Sequence, residues 1–307
     1  MAEATERDPA PACPGPDPVS RTASRYAVPP GAVDTHAHVI GVPPDYPFVP
    51  ARSYTPPAAP PDAYLRMLDA TRMTYGVLVQ VSVHGTDNRL MLATLRANRN
   101  RLRGIAVVPP DSAERELAGM KDAGVVGLRL NILYGGGIGF EQLESYGALC
   151  REFGWHLQFL VDAKDLVRLA PRLARLPVPF VVDHMGHFPT SRGVRDEGFR
   201  TLVSLVRDGA WVKLSGAYRL TVEGPPYRDT IDFARTLHEA APERCVWGSD
   251  WPHVANWGPM MNVGDLLDLL ADWVPDEHER NAVLAGNAQG LYGFNAASGS
   301  TRSDANR

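Results

Sequence analysis

The chain has 307 residues, of which 44% are hydrophobic and 21% are charged, as in an ordinary globular protein. Its formal net charge of −4 and isoelectric point near 6.1 offer no basic surface to neutralise a phosphate backbone, so nucleic acid is not an expected partner. No apolar run is long enough to cross a bilayer, and three widely separated cysteines indicate a reducing compartment, so we expect a cytoplasmic protein with no membrane partner.

Two polar termini flank the region that carries the patterns of folded structure. Residues 1–27 are rich in Ala, Pro, Asp and Arg, and they lack both apolar periodicity and the apolar centre of a secretory signal. Residues 295–307 have the same low hydrophobicity. We therefore predict disordered tails at 1–27 and 295–307 around one folded domain at 28–294.

Short apolar runs alternate with amphipathic stretches throughout this domain. Near-continuous β-branched runs, such as residues 76–81, are typical of parallel strands that are covered on both faces. The predicted strands are 32–39, 75–82, 102–108, 125–132, 156–162, 179–185, 210–215 and 244–251. The predicted helices are 62–72, 88–98, 113–123, 140–153, 164–176, 196–208, 227–240, 264–273 and 278–292.

The alternation of eight strands with helices predicts an α/β protein with a closed (β/α)8 TIM barrel. A doubly wound open sheet would carry a glycine-rich phosphate turn after its first strand, whereas residues 39–44 here are Val-Ile-Gly-Val-Pro-Pro. In a barrel of this kind the residues that do chemistry lie at the C-terminal ends of the strands. Polar residues at those ends are therefore the candidate site.

The first strand ends with Asp34, His36 and His38, whose spacing of two places all three side chains on one side. His184 ends the sixth strand and Asp250 ends the eighth. A single histidine at a strand end is more often a structural residue, but several strand ends that supply histidine and aspartate together predict an active site, because unpaired polar groups are costly to bury. The same four residues, His36, His38, His184 and Asp250, could hold one divalent metal, with Zn²⁺ the expected ion.

This pattern of His-x-His on strand one, His on strand six and Asp on strand eight resembles the amidohydrolase superfamily. Within it the chain resembles lactone hydrolases of the 2-pyrone-4,6-dicarboxylate lactonase type. The matching segments are 34–39 (DTHAHV), 47–50 (PFVP), 54–56 (YTP), 80–88 (QVSVHGTDN), 182–186 (VDHMG) and 247–253 (WGSDWPH), and they span nearly the whole predicted domain.

The resemblance implies a hydrolase in which Asp250 is the general base that activates water. His36, His38 and His184 would then polarise a lactone carbonyl by donating hydrogen bonds. In that branch of the family the chemistry proceeds without a metal, so no cofactor is the favoured expectation and a single metal ion is the alternative.

The resemblance also implies how a small substrate that carries a carboxylate is held. Arg129 and Arg219, the latter on a loop, match positions that bind substrate anions, and a guanidinium suits a carboxylate. The positions that match the pocket lining are those of Tyr54, His84 and His253, the last as support for Asp250. For Lys213 we expect a salt bridge rather than a role at the mouth. Surface roles are expected for His156, His238 and His278.

Two departures from the family pattern concern the substrate. Residues 133–139 (LYGGGIG) replace a further arginine after strand four, and Leu160 replaces a tyrosine on strand five. The glycines predict a permissive and mobile loop with room for a larger or less charged substrate.

Three other activities stay open from the sequence. The first is metal-dependent, non-oxidative decarboxylation of an aromatic or muconate-type acid, the second is lactone isomerisation, and the third is binding without catalysis. A homodimer is compatible with the pattern, because the outer helices of a barrel can pair without a motif.

Overall fold

A computed structural model describes residues 10–294 of the chain. Eight parallel strands follow one another around a single sheet in chain order, which confirms the predicted (β/α)8 barrel. The strands are β1 Val33–Ala37, β2 Tyr75–Val79, β3 Leu102–Ala106, β4 Val125–Asn131, β5 His156–Leu160, β6 Phe180–Val182, β7 Trp211–Leu214 and β8 Cys245–Trp247.

Backbone hydrogen bonds between the ends of β1 and β8 close the barrel. The N–H of Asp250 donates to the His36 carbonyl at 2.8 Å, and the N–H of His38 donates to the Trp251 carbonyl at 2.8 Å. Closure brings the C-terminal ends of all eight strands to one rim, where the candidate residues converge.

Helices cover the outside of the barrel. They are α1 Pro61–Thr71, α2 Arg89–Ala97, α3 Glu114–Ala123, α4 Leu143–Phe153, α5 Ala163–Leu173, α6 Glu197–Arg207, α7 Ala217–Leu220, α8 Ile231–Ala240, α9 Val263–Trp273, α10 Glu277–Asn281 and α11 Asn287–Tyr292. The single turn α7 was not predicted, and the expected last helix is interrupted by a π-helix at Ala282–Gly286. Across residues 10–294 no helix combines the length and apolarity that a membrane span needs.

The end of the barrel opposite the rim is closed by the last helix. Val33, Val77, Ile105 and Val246 form an apolar layer inside the strands, and Tyr292 packs against this layer with the residues around it. This end of the barrel is therefore filled by apolar side chains, and the candidate residues lie at the other end.

The N-terminal segment corrects the predicted tail. Residues 10–27 lie along the barrel instead of extending from it, while residues 1–9 and the predicted tail at 295–307 lie outside the described range. At its start, Ala12 pairs with Thr55, which follows β1, and Ala12 accepts a hydrogen bond at 2.7 Å from the indole of Trp257, which follows β8. Further on, Asp268 of α9 accepts hydrogen bonds from the N–H and hydroxyl of Ser24. Sequence composition missed these contacts because they are polar bonds to distant residues.

Replacing Asp268 by alanine should loosen this segment. The change removes the acceptor for the Ser24 and Arg25 backbone N–H groups, and a loss on the order of 1 kcal/mol raises the open fraction of the segment about fivefold. Limited trypsin digestion, which cleaves after Arg21 and Arg25, would measure it as faster cleavage.

The matched control is Asp272→Ala, which removes only an exposed ion pair with Arg25 at 2.8 Å. Equal cleavage rates in the two variants would show that the Asp268 bonds do not hold the segment.

Candidate active site

Asp34 does not join the histidines, contrary to the spacing argument. The pairing of β1 with β2 shifts register between Asp34 and Ala37, so the alternation of sides is broken between Asp34 and His36. The Asp34 carboxylate points outward, where it accepts hydrogen bonds from the Ser249 N–H at 2.7 Å, the Ser249 hydroxyl at 2.8 Å and the Tyr64 hydroxyl at 3.1 Å. Its role is to fix the end of β8 against β1.

His36, His38, His184 and Asp250 meet at the rim as predicted. The Nε2 atoms of His36 and His38 lie 3.7 and 3.8 Å from Asp250 Oδ1, and His184 Nε2 lies 3.6 Å from Asp250 Oδ2. His184 and Asp250 do not end their strands but follow them by two and three residues, with backbone φ of 49° and 59°. Left-handed backbone at residues other than glycine is strained and is typical of functional sites.

The two oxygens of the Asp250 carboxylate have different surroundings. Oδ2 accepts hydrogen bonds from the Tyr218 hydroxyl and from Nε of Arg219, both at 2.7 Å. Oδ1 is buried and has no hydrogen-bond partner among the described residues. The carboxylate is therefore held at one oxygen and free at the other.

Charge around Asp250 keeps it ionised. Burial alone would raise the pKa of Asp250, but the Arg219 guanidinium beside it holds that pKa well below its ordinary value. The Arg219 pKa is raised well above its own ordinary value by the same partnership, against its burial.

Each imidazole is oriented by a partner on its Nδ1 atom. His38 Nδ1 lies 2.7 Å from the Val79 carbonyl and His184 Nδ1 lies 2.9 Å from the Ser215 hydroxyl. Burial lowers the pKa of His36 to about 4 and the pKa values of His38 and His184 well below their usual range, so the three rings are neutral near pH 7.

The orientation of His38 corrects one expected role. A carbonyl only accepts hydrogen bonds, so Nδ1 of neutral His38 carries the hydrogen and Nε2 carries a lone pair. His38 therefore cannot donate a hydrogen bond to a lactone carbonyl from Nε2, as the sequence had suggested for all three histidines.

A buried charged layer lies directly below the histidines. Lys213 Nζ donates hydrogen bonds to the Thr35 carbonyl at 2.8 Å and to the Gln158 side chain at 2.9 Å. It also lies 3.2 Å from His36 Nδ1 and 3.4 Å from Asp183 Oδ1, and Asp183 lies 3.3 Å from the same His36 nitrogen. The expected salt bridge of Lys213 is thus present, and both members of the buried pair lie against the same nitrogen of His36.

The two predicted anion-binding arginines differ in how many of their N–H groups already donate hydrogen bonds within the protein. Arg129 is buried, its Nη1 makes a long 3.4 Å contact with the Gln80 carbonyl, its Nη2 lies 3.6 Å from Asp183 Oδ2, and its Nε has no partner among the described residues. Arg219 lies on α7 rather than on a loop, and besides Asp250 it donates to the Tyr134 hydroxyl at 3.0 Å and the Val254 carbonyl at 3.1 Å. Arg129 is therefore the less tightly bonded of the two guanidinium groups, and its Nε–H is the free donor.

The other three predicted pocket residues lie around the rim at different depths. Tyr54 is buried with its ring 5.6 Å from that of Tyr134. His253 follows Asp250, stacks edge-on against Tyr218, and has a pKa that burial lowers to about 4. The ring of His84 stacks on that of Phe48, and its Nε2 lies 3.1 Å from the Gly41 carbonyl of the loop after β1.

The loop at 133–139 is close-packed, which corrects the expectation of a permissive, mobile segment. A Cβ on Gly135 would overlap the Ala51 carbonyl oxygen, and one on Gly137 would lie 2.7 Å from the Asn131 carbonyl oxygen. Gly136 adopts a φ of 91°. These glycines are needed for close approach, and they bring Tyr134 into the site.

Tyr134 and His187 are site residues that the sequence analysis missed. The Tyr134 hydroxyl lies between Arg219 and His187, at 3.4 Å from His187 Nε2. Burial lowers the pKa of His187 to about 4. A tyrosine before three glycines carries no motif, so the only signal was its place after a barrel strand.

The donor set also fits a divalent cation. Within residues 10–294, His36, His184 and Asp250 form one group whose ligand atoms all lie within 4.8 Å of one another. His36 Nε2 and Asp250 Oδ1 are both buried and lack hydrogen-bond partners. Imidazole and carboxylate are ligands that Zn²⁺ takes in catalytic sites.

A (β/α)8 barrel with histidines and an aspartate at its C-terminal rim defines an enzyme of the amidohydrolase type. The chain belongs to the amidohydrolase family, since the family model described as Amidohydrolase matches residues 33–294. It is therefore a hydrolase of that superfamily, as the sequence predicted.

Known relatives cover nearly the whole chain. The 4-sulfomuconolactone hydrolase of Rhizobium radiobacter is 38% identical over 291 residues, which are 92% of this chain and 96% of that protein. The 4-sulfomuconolactone hydrolase of Hydrogenophaga intermedia is 36% identical over 275 residues, 88% and 91% of the two chains. A solved structure of a probable 2-pyrone-4,6-dicarboxylic acid hydrolase from Acinetobacter baumannii, with citric acid bound, superposes with a TM-score of 0.76 at 30% identity, covering 86% of this chain and 100% of that one.

The buried His156 should make stability depend on pH. It lies inside the barrel against Tyr292 rather than on the surface as expected, and burial lowers its pKa from 6.5 to about 3. The unfolded chain therefore binds more protons between about pH 6.5 and pH 3, so the stability that His156 contributes above this window is lost as pH falls through it.

His156→Leu should reduce the slope of unfolding free energy against pH by up to about 1.4 kcal/mol per pH unit, measured by urea unfolding between pH 5 and pH 6. His278→Leu is the matched control, because His278 is exposed. An unchanged slope in His156→Leu would contradict the assignment.

Proposed function

We propose that this protein hydrolyses a small lactone that carries an anionic group, with Asp250 as the general base. The observation that carries the proposal is the asymmetry of the Asp250 carboxylate, in which Oδ2 is held by Tyr218 and Arg219 while Oδ1 is free at the rim. The lactone hydrolase names of the relatives support the substrate class.

The base acts while the new bond forms. Asp250 is a weak base toward free water, because its pKa is lowered. Water that bonds to a carbonyl carbon becomes strongly acidic, so its proton passes to Oδ1 as the carbon–oxygen bond develops. Arg219 and Tyr218 keep Oδ2 in place during this transfer.

The anionic group of the substrate would bind at Arg129. Its Nε–H has no partner among the described residues and its contacts with Gln80 and Asp183 are long, at 3.4 and 3.6 Å, whereas Arg219 is occupied by Asp250, Tyr134 and Val254. One guanidinium with an available donor supports a substrate with one anionic group, such as a carboxylate, at this site.

A divalent cation fits His36, His184 and Asp250, and the lone pair of His38 Nε2 faces the same carboxylate. When bound, such a cation would supply Lewis acidity toward a carbonyl oxygen and water. The family resemblance favours a reaction without a metal, and that expectation stays a prediction. The donor set of this chain instead favours a bound ion, and the two readings are separated by the metal experiment below.

The expected cytoplasmic location, the homodimer and the exclusion of nucleic acid stay proposals based on composition. The rival activities differ in their products. Hydrolysis adds one oxygen from water, isomerisation adds none, and decarboxylation releases carbon dioxide.

Asp250→Asn should lower kcat for lactone opening by about 10² to 10⁴, because the amide cannot take the water proton. The assay is a panel of carboxylated lactones in ¹⁸O-labelled water, with mass spectrometry of the products. Asp122→Asn is the matched control, because Asp122 is an exposed aspartate near the end of α3.

Retention of full activity in Asp250→Asn would reject the assignment of the base. Absence of ¹⁸O from the product of the native protein would reject hydrolysis itself.

Purified protein should bind about one Zn²⁺ per chain, and treatment with a chelator should lower activity until Zn²⁺ is restored. His184→Asn should weaken binding in elemental analysis, whereas His238→Asn, on α8, should leave it unchanged. Full activity in metal-free protein would support the metal-independent reaction that the resemblance implies.

A further inference from the structure

The Tyr134 hydroxyl is set at the rim by contacts on three sides. It accepts a hydrogen bond from Nη1 of Arg219 at 3.0 Å, it lies 3.4 Å from His187 Nε2, and its ring meets that of Tyr54 edge-on at 5.6 Å. The side chain is half-buried, so part of it is open to solvent.

The backbone that carries Tyr134 is fixed. Asn131 Oδ1 accepts hydrogen bonds from the N–H groups of Leu133 at 2.8 Å and Tyr134 at 3.2 Å. The Gly135 N–H donates to the Ser53 hydroxyl at 2.9 Å. A residue held in this way is preorganised for a defined contact with substrate.

One guanidinium separates Tyr134 from the proposed base. Arg219 donates from Nε to Asp250 Oδ2 and from Nη1 to the Tyr134 hydroxyl, so the two groups flank the same planar cation. Opening of a lactone needs a base at the attacking water and an acid at the ring oxygen, and these two positions are separated by little more than the ester group.

The hydrogen of the Tyr134 hydroxyl has no close acceptor among the described residues. The Tyr218 hydroxyl donates to Asp250 at 2.7 Å, whereas Tyr134 makes only the long contact with His187. The hydrogen bond that Tyr134 accepts from a cation withdraws electron density from its oxygen and makes the hydroxyl a stronger donor.

We propose that Tyr134 is the general acid that protonates the leaving ring oxygen; this rests on the lactone hydrolysis proposed above. As water bonds to the carbonyl carbon, one of its protons passes to Asp250 Oδ1. When the ring carbon–oxygen bond breaks, its electron pair goes to the ring oxygen, which takes the Tyr134 proton. Asp250 then releases its proton to solvent and Tyr134 takes one back, so the enzyme is unchanged.

The test compares two lactones with the same acyl half, one with an enol and one with an alkyl alcohol as leaving group. Tyr134→Phe removes only the hydroxyl. It should lower kcat for the alkyl lactone by about 10² or more, because an alkoxide needs the acid, and for the enol lactone by about tenfold or less. KM should change little for either substrate.

Tyr146→Phe is the matched control, since it removes a buried tyrosine hydroxyl that donates to the Val108 carbonyl and not to Asp250 or Arg219, and it should not change the ratio of the two rates. Equal losses on both lactones in Tyr134→Phe would overturn the role of the acid. Activity on the enol lactone shows that the variant is folded. If the native protein opens neither lactone, the proposed function fails instead.

Discussion

The buried charge of Asp250 is the constraint around which the rim is built. An isolated carboxylate in a protein interior is strongly disfavoured, and it persists there only with opposite charge and hydrogen bonds. Arg219 supplies the charge, and Tyr218 supplies a second hydrogen bond to the same oxygen. Because both partners approach Oδ2, neutralisation of the charge leaves Oδ1 available for chemistry.

The hydrogen bonds that close the barrel also fix the position of Asp250. Asp34 binds the N–H and hydroxyl of Ser249, and Asp250 itself donates its N–H to the His36 carbonyl. The register shift in β1 turns Asp34 outward to make these bonds while His36 stays inside. The two carboxylates thus have opposite roles: Asp34 joins the last strand to the first, and Asp250 uses the position that this junction fixes.

Sequence periodicity predicted all eight strands, and the positions of strand ends predicted His36, His38, His184 and Asp250, because parallel strands bring their C-terminal ends together. Periodicity could not predict on which side of β1 the Asp34 side chain lies, since a register shift depends on pairing with β2. Tyr134, Tyr218 and the identity of Asp183 as the partner of Lys213 were also beyond it. Their partners are distant in sequence, and no local pattern marks a hydrogen bond between two loops.

The loop after β4 shows how this chain differs from the dicarboxylate lactonases it resembles. Any side chain at Gly135 would collide with the Ala51 carbonyl of the loop after β1, so this backbone path has no room at Gly135 for an arginine like the one those lactonases carry after strand four. The same path places the neutral hydroxyl of Tyr134 against Arg219, whose donors are already used. A second substrate anion would find neither an extra guanidinium nor free donors on Arg219, and it would bring negative charge close to Asp250. The packing of the glycines therefore supports the proposal of a substrate with a single anionic group, because it leaves this part of the rim without a second available guanidinium.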